Sequence, residues 1–128
     1  MLHEELSGKI LSAFYRVYNY LGHGFLEKVY EHALTIELKK RGLDAKQQQH
    51  IDVYFEGYLV GEYYADIFVD ELVILELKTA DGIAPDHEAQ LINYLKATEI
   101  ELGFLLNFGP KPQFIRRILT NDKKQIHA

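Results

Sequence analysis

The sequence has no cysteine and no long apolar run in its 128 residues. Without cysteine, the chain cannot form a disulfide framework, a cysteine nucleophile, a cysteine-bound zinc site or a thiolate-held iron–sulfur cluster. A membrane-spanning helix requires roughly 18 apolar residues in a row. The first residues, MLHEEL, are acidic where a signal peptide would be basic. We therefore predict a cytoplasmic protein that makes no use of a membrane.

Positive charge is also scarce, since 14 Lys and Arg against 19 Asp and Glu give a net charge of −5. Nucleic-acid-binding proteins are usually basic, so this balance counts mildly against that class. It does not exclude the class, because a local basic patch can bind phosphates and acidic side chains can hold cations. The chain has no linker or repeat, and its length suits one hydrophobic core. We predict one domain over residues 1–120, followed by a polar tail over residues 121–128.

Hydrophobic periodicity predicts eight elements in the order α-α-β-β-β-α-β-β. Short turns join the first three strands into an antiparallel meander, and a helix connects the third strand to the fourth. This order implies a mixed sheet with helices on its faces, so the fold class is α/β, or α+β by some conventions. The predicted helices span about 4–21, 25–41 and 87–98, and the strands span 45–55, 57–69, 71–80, 101–108 and 113–119.

The stretch VILELKTA places a carboxylate and an ammonium at the end of the most apolar strand. Side chains two apart on a strand share a face, so Glu76 and Lys78 should point together. A hairpin around residue 70 would pair Asp66 near residue 74, within diagonal reach of Glu76. Two carboxylates and a lysine would then converge.

Neighbouring carboxylates repel each other unless a cation lies between them. Mg²⁺ typically binds one or two carboxylates, several waters and phosphate oxygens. Lys78 could orient or deprotonate a water, or stabilise the charge of a phosphorane-like transition state. These parts indicate metal-assisted hydrolysis of a phosphodiester. The ordinary alternative is a structural ion pair between Glu76 and Lys78.

Two helical motifs add further candidates. In GFLEKVY, Glu27 and Tyr30 share a helix face, and Glu27 could supply a third carboxylate to the metal, directly or through water. In HEAQLINYL, Gln90 could hold substrate or the lysine, while Tyr94 could contact phosphate or stack on a base. The alternatives are a solvated first-turn Glu27 favoured by the helix dipole, and a helix rim with Tyr94 half buried.

Taken together, these stretches resemble a known family. GFLEKVY matches the motif for which the GxxExxY proteins are named, and YYADIFVDELVILELKTA, HEAQLINYL and LGFLLNFG follow in that family's order and spacing. The resemblance covers about residues 3–119. It implies membership in the PD-(D/E)XK nuclease-like superfamily and a restriction-endonuclease-like core.

The resemblance also implies roles for individual residues. Asp66 corresponds to the acidic residue of the PD element, although Ala65 replaces the proline, and Glu76 with Lys78 forms the ExK element. Glu27 corresponds to the acidic residue of the first core helix. The remaining matches are Gln90 and Tyr94, in the QxxxY motif of RecB-like nucleases.

Two histidines lie beside these motifs. Family members often carry proline before the glycine of the first motif, where this chain has His23, which either approaches the metal or is simply exposed. His87 precedes Gln90 by about one turn, where it either caps the helix or touches substrate.

The leading hypothesis is a Mg²⁺- or Mn²⁺-dependent nuclease acting on nucleic acid, DNA rather than RNA. Asp66, Glu76 and the carbonyl of Leu77 would hold the metal, and Glu27 would complete its shell. Gln90, Tyr94 and Tyr30 would contact substrate. The alternative is a catalytically silent module that binds nucleic acid or regulates a partner. A small core offers little surface to embrace a duplex, so a homodimer would help, although no residue requires it.

Overall fold

The computed structural model describes residues 1–124. Its strands form one five-stranded sheet in which the order in space follows the order in the chain. The elements are helices α1 (Glu4–Leu21), α2 (Glu27–Lys40) and α3 (Pro85–Ala97), and strands β1 (Ala45–Phe55), β2 (Tyr58–Val69), β3 (Val73–Lys78), β4 (Leu102–Phe108) and β5 (Pro112–Ile118).

The sheet is mixed, as the sequence predicted. Strands β1, β2 and β3 form an antiparallel meander, and β5 is antiparallel to β4. Only β3 and β4 run parallel, and α3 is the crossover between them. The predicted element order is confirmed.

The two faces of the sheet carry separate hydrophobic cores. One core joins α1 and α2 to the sheet and includes Leu75 and Leu77 of β3. The other joins α3 to the sheet and includes Ile74. Because side chains alternate along a strand, Glu76 and Lys78 lie on the α3 face with Ile74. The apolar half of β3 is thus buried on both faces and anchors the polar half.

The ends of the elements follow local chemistry. Helix α2 ends at Lys40 and is followed by Arg41 and by Gly42, whose φ of +83° is easy for glycine. The N–H groups of Gly42 and Leu43 donate to the carbonyls of Lys39 and Leu38 and close the last turn. Helix α3 begins at Pro85, two residues earlier than predicted, because proline already has a helical φ and needs no N–H partner in the first turn.

The predicted polar tail begins with ordered structure. Residues Asn121–Lys123 form a single 3₁₀ turn. The Lys124 ammonium donates to the carbonyls of Thr98 and Ile100 at 2.9 and 2.7 Å, so this part of the tail packs beside the end of α3. Residues 125–128 of the predicted tail lie outside the described residues. In the part of the chain that is described, no helix has the length and apolarity to cross a membrane.

Candidate metal centre

The candidate site lies where β2 and β3 part. The backbone hydrogen bonds between the two strands end at the pair Ile67–Leu75. Beyond that pair, backbone N–H groups donate to side chains instead. The Asp66 N–H donates to Glu76 Oε1 at 3.0 Å, and the Leu77 N–H donates to Asp66 Oδ2 at 2.8 Å. Each carboxylate therefore bonds to the backbone of the opposite strand, which leaves its second oxygen for another partner.

The predicted pairing of Asp66 was wrong by two residues. The register pairs Phe68 with Ile74, which places Asp66 directly opposite Glu76. The turn is longer than expected because Asp70 and Glu71 both adopt a positive φ, 51° and 55°, so the hairpin centres on residue 71. The direct pairing brings the two carboxylates closer than the predicted diagonal contact would.

A bend in the first two strands aims Asp66 at β3. Ile67 and Ala65 are two residues apart, yet they pack on opposite faces of the sheet. At the same level of β1, Gln48 has a φ of 53°, a left-handed conformation that non-glycine residues rarely adopt. The Gln48 amide donates to Asp66 Oδ1 at 3.4 Å. The normal alternation of side chains is therefore broken at the level of Asp66.

The electrostatic environment leaves these carboxylates short of positive charge. Burial, and after it the charge of Asp66, raise the pKa of the Glu76 carboxyl to about 8 against the opposing effects of the Asp66 N–H and Lys78. Burial also raises the pKa of Asp66, against the opposing Leu77 N–H bond. A buried carboxylate and a partly buried one, both short of compensating charge, form the donor set that a hard divalent cation prefers.

Lys78 does not supply the missing charge by direct contact. It is half buried at the end of β3, beside Asn107 of β4. Within residues 1–124, its ammonium forms no ion pair within 4.0 Å of Glu76 or Asp66. The structural ion pair that was the alternative for Glu76 and Lys78 is therefore absent from this conformation. Lys78 acts on both carboxylates only at longer range.

Helix α2 directs two carboxylates toward the same region. Burial raises the pKa of Glu27, Lys78 opposes the rise, and the charges of Asp66 and Glu31 add to it. Sequence reasoning missed Glu31, which is 3% exposed. It accepts hydrogen bonds from Lys28 at 3.0 Å and from the amides of Gln47 at 2.7 Å and Gln48 at 3.0 Å. Its position four residues after Glu27 was the available signal, because that spacing shares a helix face.

The structure gives Tyr30 a different environment from the other predicted substrate contacts. Its side chain is fully buried and stacks on Phe108 with 4.5 Å between ring centroids. Its hydroxyl donates to the Gly22 carbonyl at 2.5 Å and accepts from the Phe25 N–H at 3.2 Å. A side chain without exposed surface cannot touch a substrate in this conformation, so Tyr30 instead holds the loop before α2. His23 lies exposed in that loop.

Helix α3 contributes a polar pair and a capped start. The Gln90 amide donates to the Tyr94 hydroxyl at 3.0 Å. Burial raises the pKa of the Tyr94 hydroxyl to about 12, and the charges of Glu76 and Asp66 add to the rise. Tyr94 therefore faces the carboxylates. His87 Nδ1 accepts from the Ala84 N–H at 3.1 Å, so this histidine caps the helix, one of the two roles expected for it.

Asn107 holds the chain after Lys78. This residue is fully buried, and its amide forms two bonds of 2.9 Å with Ala80, accepting from the N–H and donating to the carbonyl. A Cβ at Gly109 would lie 2.0 Å from the same carbonyl, so only glycine allows this close approach. Sequence reasoning missed both residues; the signal was a polar residue and a glycine directly after the buried run LGFLL.

The spacing of ligand atoms limits which side chains could bind one cation together. Over residues 1–124, His50, Asp52 and Glu62 form one group of potential ligands. Their ligand atoms all lie within 4.8 Å of one another. That group is on the β1–β2 hairpin, where His50 Nε2 is 3.1 Å from Asp52 and 3.3 Å from Glu62. Glu27, Asp66 and Glu76 do not form such a group among these residues. A cation at Asp66 and Glu76 would have two side-chain ligands, which suits Mg²⁺.

Comparisons with known proteins agree with this geometry. The family model described as PD-(D/E)XK nuclease superfamily matches residues 4–118. Among solved structures, the chain is similar to "Crystal structure of SSO0001", with a TM-score of 0.58 and 19% sequence identity over 76% of this chain and 52% of that chain. This chain thus spans about half the length of SSO0001, and the likeness concerns the fold alone. A search of curated proteins finds no match.

The mixed sheet and its flanking helices therefore have the restriction-endonuclease-like α/β fold. Nucleases of this superfamily generally use divalent metal ions. The donor set of Asp66 and Glu76 fits such an ion. The chain belongs to the PD-(D/E)XK nuclease superfamily.

Proposed function

We propose that this protein is a Mg²⁺- or Mn²⁺-dependent nuclease that hydrolyses phosphodiester bonds of nucleic acid, DNA rather than RNA. We also propose that it belongs to the GxxExxY proteins within the superfamily. The observation that carries the proposal is the reciprocal bonding of Asp66 and Glu76. Each carboxylate accepts a hydrogen bond from the opposite backbone, so the two carboxyl groups are held side by side with a lysine at longer range.

The metal ligands would be Asp66, Glu76 and the backbone carbonyl of Leu77. Glu27 would complete the shell through water, since it is more widely spaced. A bound Mg²⁺ or Mn²⁺ would supply a Lewis acid for the phosphate and lower the pKa of a bound water. Backbone N–H groups orient both carboxylates for this role.

Lys78 and the α3 pair would act on the substrate. The Lys78 ammonium has three N–H donors and shares a face with Glu76, so it would orient the attacking water or stabilise the charge that develops on phosphorus oxygens. The Tyr94 hydroxyl accepts a hydrogen bond from Gln90, which leaves its own O–H free to donate to a phosphate oxygen. The pKa of Tyr94, raised to about 12, keeps that proton in place at neutral pH.

The decisive experiment is a cleavage assay. Purified protein would be incubated with labelled single- and double-stranded DNA and RNA, with Mg²⁺, Mn²⁺ or EDTA. Lys78→Ala should abolish cleavage without changing the circular dichroism spectrum, whereas the control Lys111→Ala, at an exposed turn, should cleave like the wild type. Cleavage that persists in Lys78→Ala would remove this lysine from the mechanism.

A calorimetric Mn²⁺ titration would separate the nuclease from a silent module. The wild type should bind the ion and Asp66→Ala should not. If neither binds Mn²⁺, the silent nucleic-acid-binding or regulatory module becomes the better description.

The same preparation would test two further proposals. Truncation after residue 120 tests the domain boundary, and sedimentation tests the homodimer.

A further inference from the structure

A cavity of about 450 Å³ lies beside the candidate metal centre, between the β1–β2 hairpin and α3. Val53 and Tyr63 form its wall on the hairpin side, and Gln90, Asn93 and Tyr94 form part of its wall on α3. Volumes of this size are typical of sites for small ligands. The cavity is mostly apolar with a few polar groups, which is the character of a site for a flat aromatic ligand.

Two tyrosines give the cavity its shape. The rings of Tyr63 and Tyr94 have centroids 5.8 Å apart and are tilted by 50°, so they meet at an angle like two walls. The Tyr63 side chain is 47% exposed, whereas Tyr94 is 5% exposed. Tyr63 therefore presents an open aromatic face. A Cβ at Gly61 would lie 3.2 Å from the Tyr63 ring, so glycine there leaves room for the ring along the strand.

The cavity also has polar side chains that could bind the base edge and the phosphate of a nucleotide. Asn93 adds an amide that can both donate and accept, as the edge of a nucleobase requires. Lys96 lines the α3 wall and carries the charge that attracts a phosphate. Tyr94 joins the cavity to the metal centre, because it belongs to the same core cluster as Ile74, which shares its strand face with Glu76.

We propose that this cavity binds one unpaired nucleobase of a single-stranded substrate, which stacks on Tyr63 and is read along its edge by Asn93. The inference rests on the proposed function for the identity of the polymer. A base inside a duplex has both faces stacked and cannot enter such a cavity without leaving the helix. Single-strand binders, in contrast, gain affinity from bases stacked on aromatic side chains.

The distribution of basic side chains favours binding of a single strand over binding of a duplex. Duplex binding depends largely on Lys and Arg at phosphates. Here Arg117 is paired with Glu88, and Lys124 and Arg116 donate to backbone carbonyls within the chain. The net charge is −5. Stacking on Tyr63 is a source of affinity that does not depend on these occupied basic side chains.

The test measures binding apart from cleavage. Fluorescence anisotropy in EDTA would compare three labelled 12-mers: single-stranded DNA, the matching duplex, and a single strand with abasic positions throughout. We expect the single strand to bind at least tenfold more tightly than the other two. Equal binding of the abasic strand, tighter binding of the duplex, or no binding of any probe would overturn the proposal.

Variants locate the effect in the cavity. Tyr63→Ala should weaken single-strand binding by about tenfold, within the range of roughly 5- to 150-fold expected for one stacked base, and Tyr63→Phe should retain it. Ala89→Leu adds bulk to the cavity from a good helix-forming position and should weaken binding as well. The control Tyr58→Ala, at the exposed hairpin tip, should bind normally. Normal binding by both Tyr63→Ala and Ala89→Leu would refute the assignment.

The outcomes for the two proposals are separable. Binding that depends on Tyr63 without any cleavage in Mg²⁺ or Mn²⁺ would keep the base cavity and remove the nuclease. Cleavage that is unaffected by Tyr63→Ala on single strands, with duplex cut at the same rate, would keep the nuclease and remove the base cavity.

Discussion

Replacement of Glu76 by glutamine should stabilise the metal-free protein. Glu76 is 4% exposed, and its Oε1 accepts the Asp66 N–H. Glutamine has the same shape and keeps an acceptor oxygen, but it carries no charge. Burial raises the pKa of Glu76 from 4.5 to about 8, so the charged form costs the fold about 5 kcal/mol at 1.36 kcal/mol for each pH unit.

The cost depends on pH in a defined window. Because the pKa of Glu76 is higher in the folded state, the folded protein binds the proton more tightly. Stability from this group is complete below pH 4.5 and falls as the pH rises to about 8. Part of the cost is shared with Asp66, so we expect Glu76→Gln to gain about 2–4 kcal/mol at pH 9. At pH 5 the difference should shrink to less than about 1 kcal/mol.

Urea unfolding in EDTA at pH 5, 7 and 9 measures this difference. Glu56→Gln, in the exposed turn between β1 and β2, is the matched control and should follow the wild type at each pH. Saturating Mg²⁺ should narrow the difference, since an ion at 100 times its Kd stabilises the wild type by about 2.7 kcal/mol. A variant that is less stable than the wild type at pH 9 in EDTA, or a gain that is equal at pH 5 and pH 9, would refute the reasoning.

Three further substitutions test the contacts around the site. Tyr30→Phe should cost about 1–2 kcal/mol in urea unfolding, since it removes a buried hydroxyl with two partners, and unchanged single-strand affinity would support a structural role. Asn107→Ala should cost about 2–3 kcal/mol because it leaves both backbone groups of Ala80 unpaired; a loss below 0.5 kcal/mol by the same assay would contradict this, on the scale of surface changes. Gly109→Ala should lower the melting temperature further, because its Cβ would lie 2.0 Å from the Ala80 carbonyl oxygen. A melting temperature like that of the wild type would show that the backbone yields easily there.

The sequence predicted the fold well because most of its elements obey local rules. Helix α1 has the predicted bounds, and β1 does too. The sequence predicted a strand buried on both faces at Val73, Ile74 and Leu75, and all three side chains are fully buried. Parallel pairing of β3 with β4 followed from the helix between them, since a parallel connection requires a crossover.

The register near the site escaped prediction because non-glycine residues adopt positive φ there. Asp70, Glu71 and Gln48 all do so. Aspartate is among the residue types enriched in this conformation, but glutamate and glutamine are not, so the sequence carries no signal at Glu71 or Gln48. The turn at Asp70 and Glu71 shifted the pairing of Asp66. The bend at Gln48 reversed the side-chain alternation, so a period-two pattern could not tell which face Asp66 would occupy.

The polar supports were missed for a different reason. An acidic residue on a helix, such as Glu31, is normally solvated. The structure shows instead that three side-chain donors bind Glu31, and two of them come from β1. Asn107 ends an apolar strand, and its partner Ala80 is 27 residues away in the chain. Contacts of this range depend on the sheet register, which local patterns do not contain.

The departures from local rules coincide at one place. The ladder between β2 and β3 stops at Ile67, and Gln48 takes a strained φ. In the described chain, the buried Glu76 and the partly buried Asp66 have no contacting cation from the protein. Each departure costs stability, and a structural ion pair at Glu76 would have avoided part of that cost. Strain and raised carboxyl pKa values collect at functional sites more often than elsewhere. In the described chain, Lys78 stays outside ion-pair distance of Asp66 and Glu76, which agrees with the proposal that the carboxylates hold a cation and the lysine acts on a substrate.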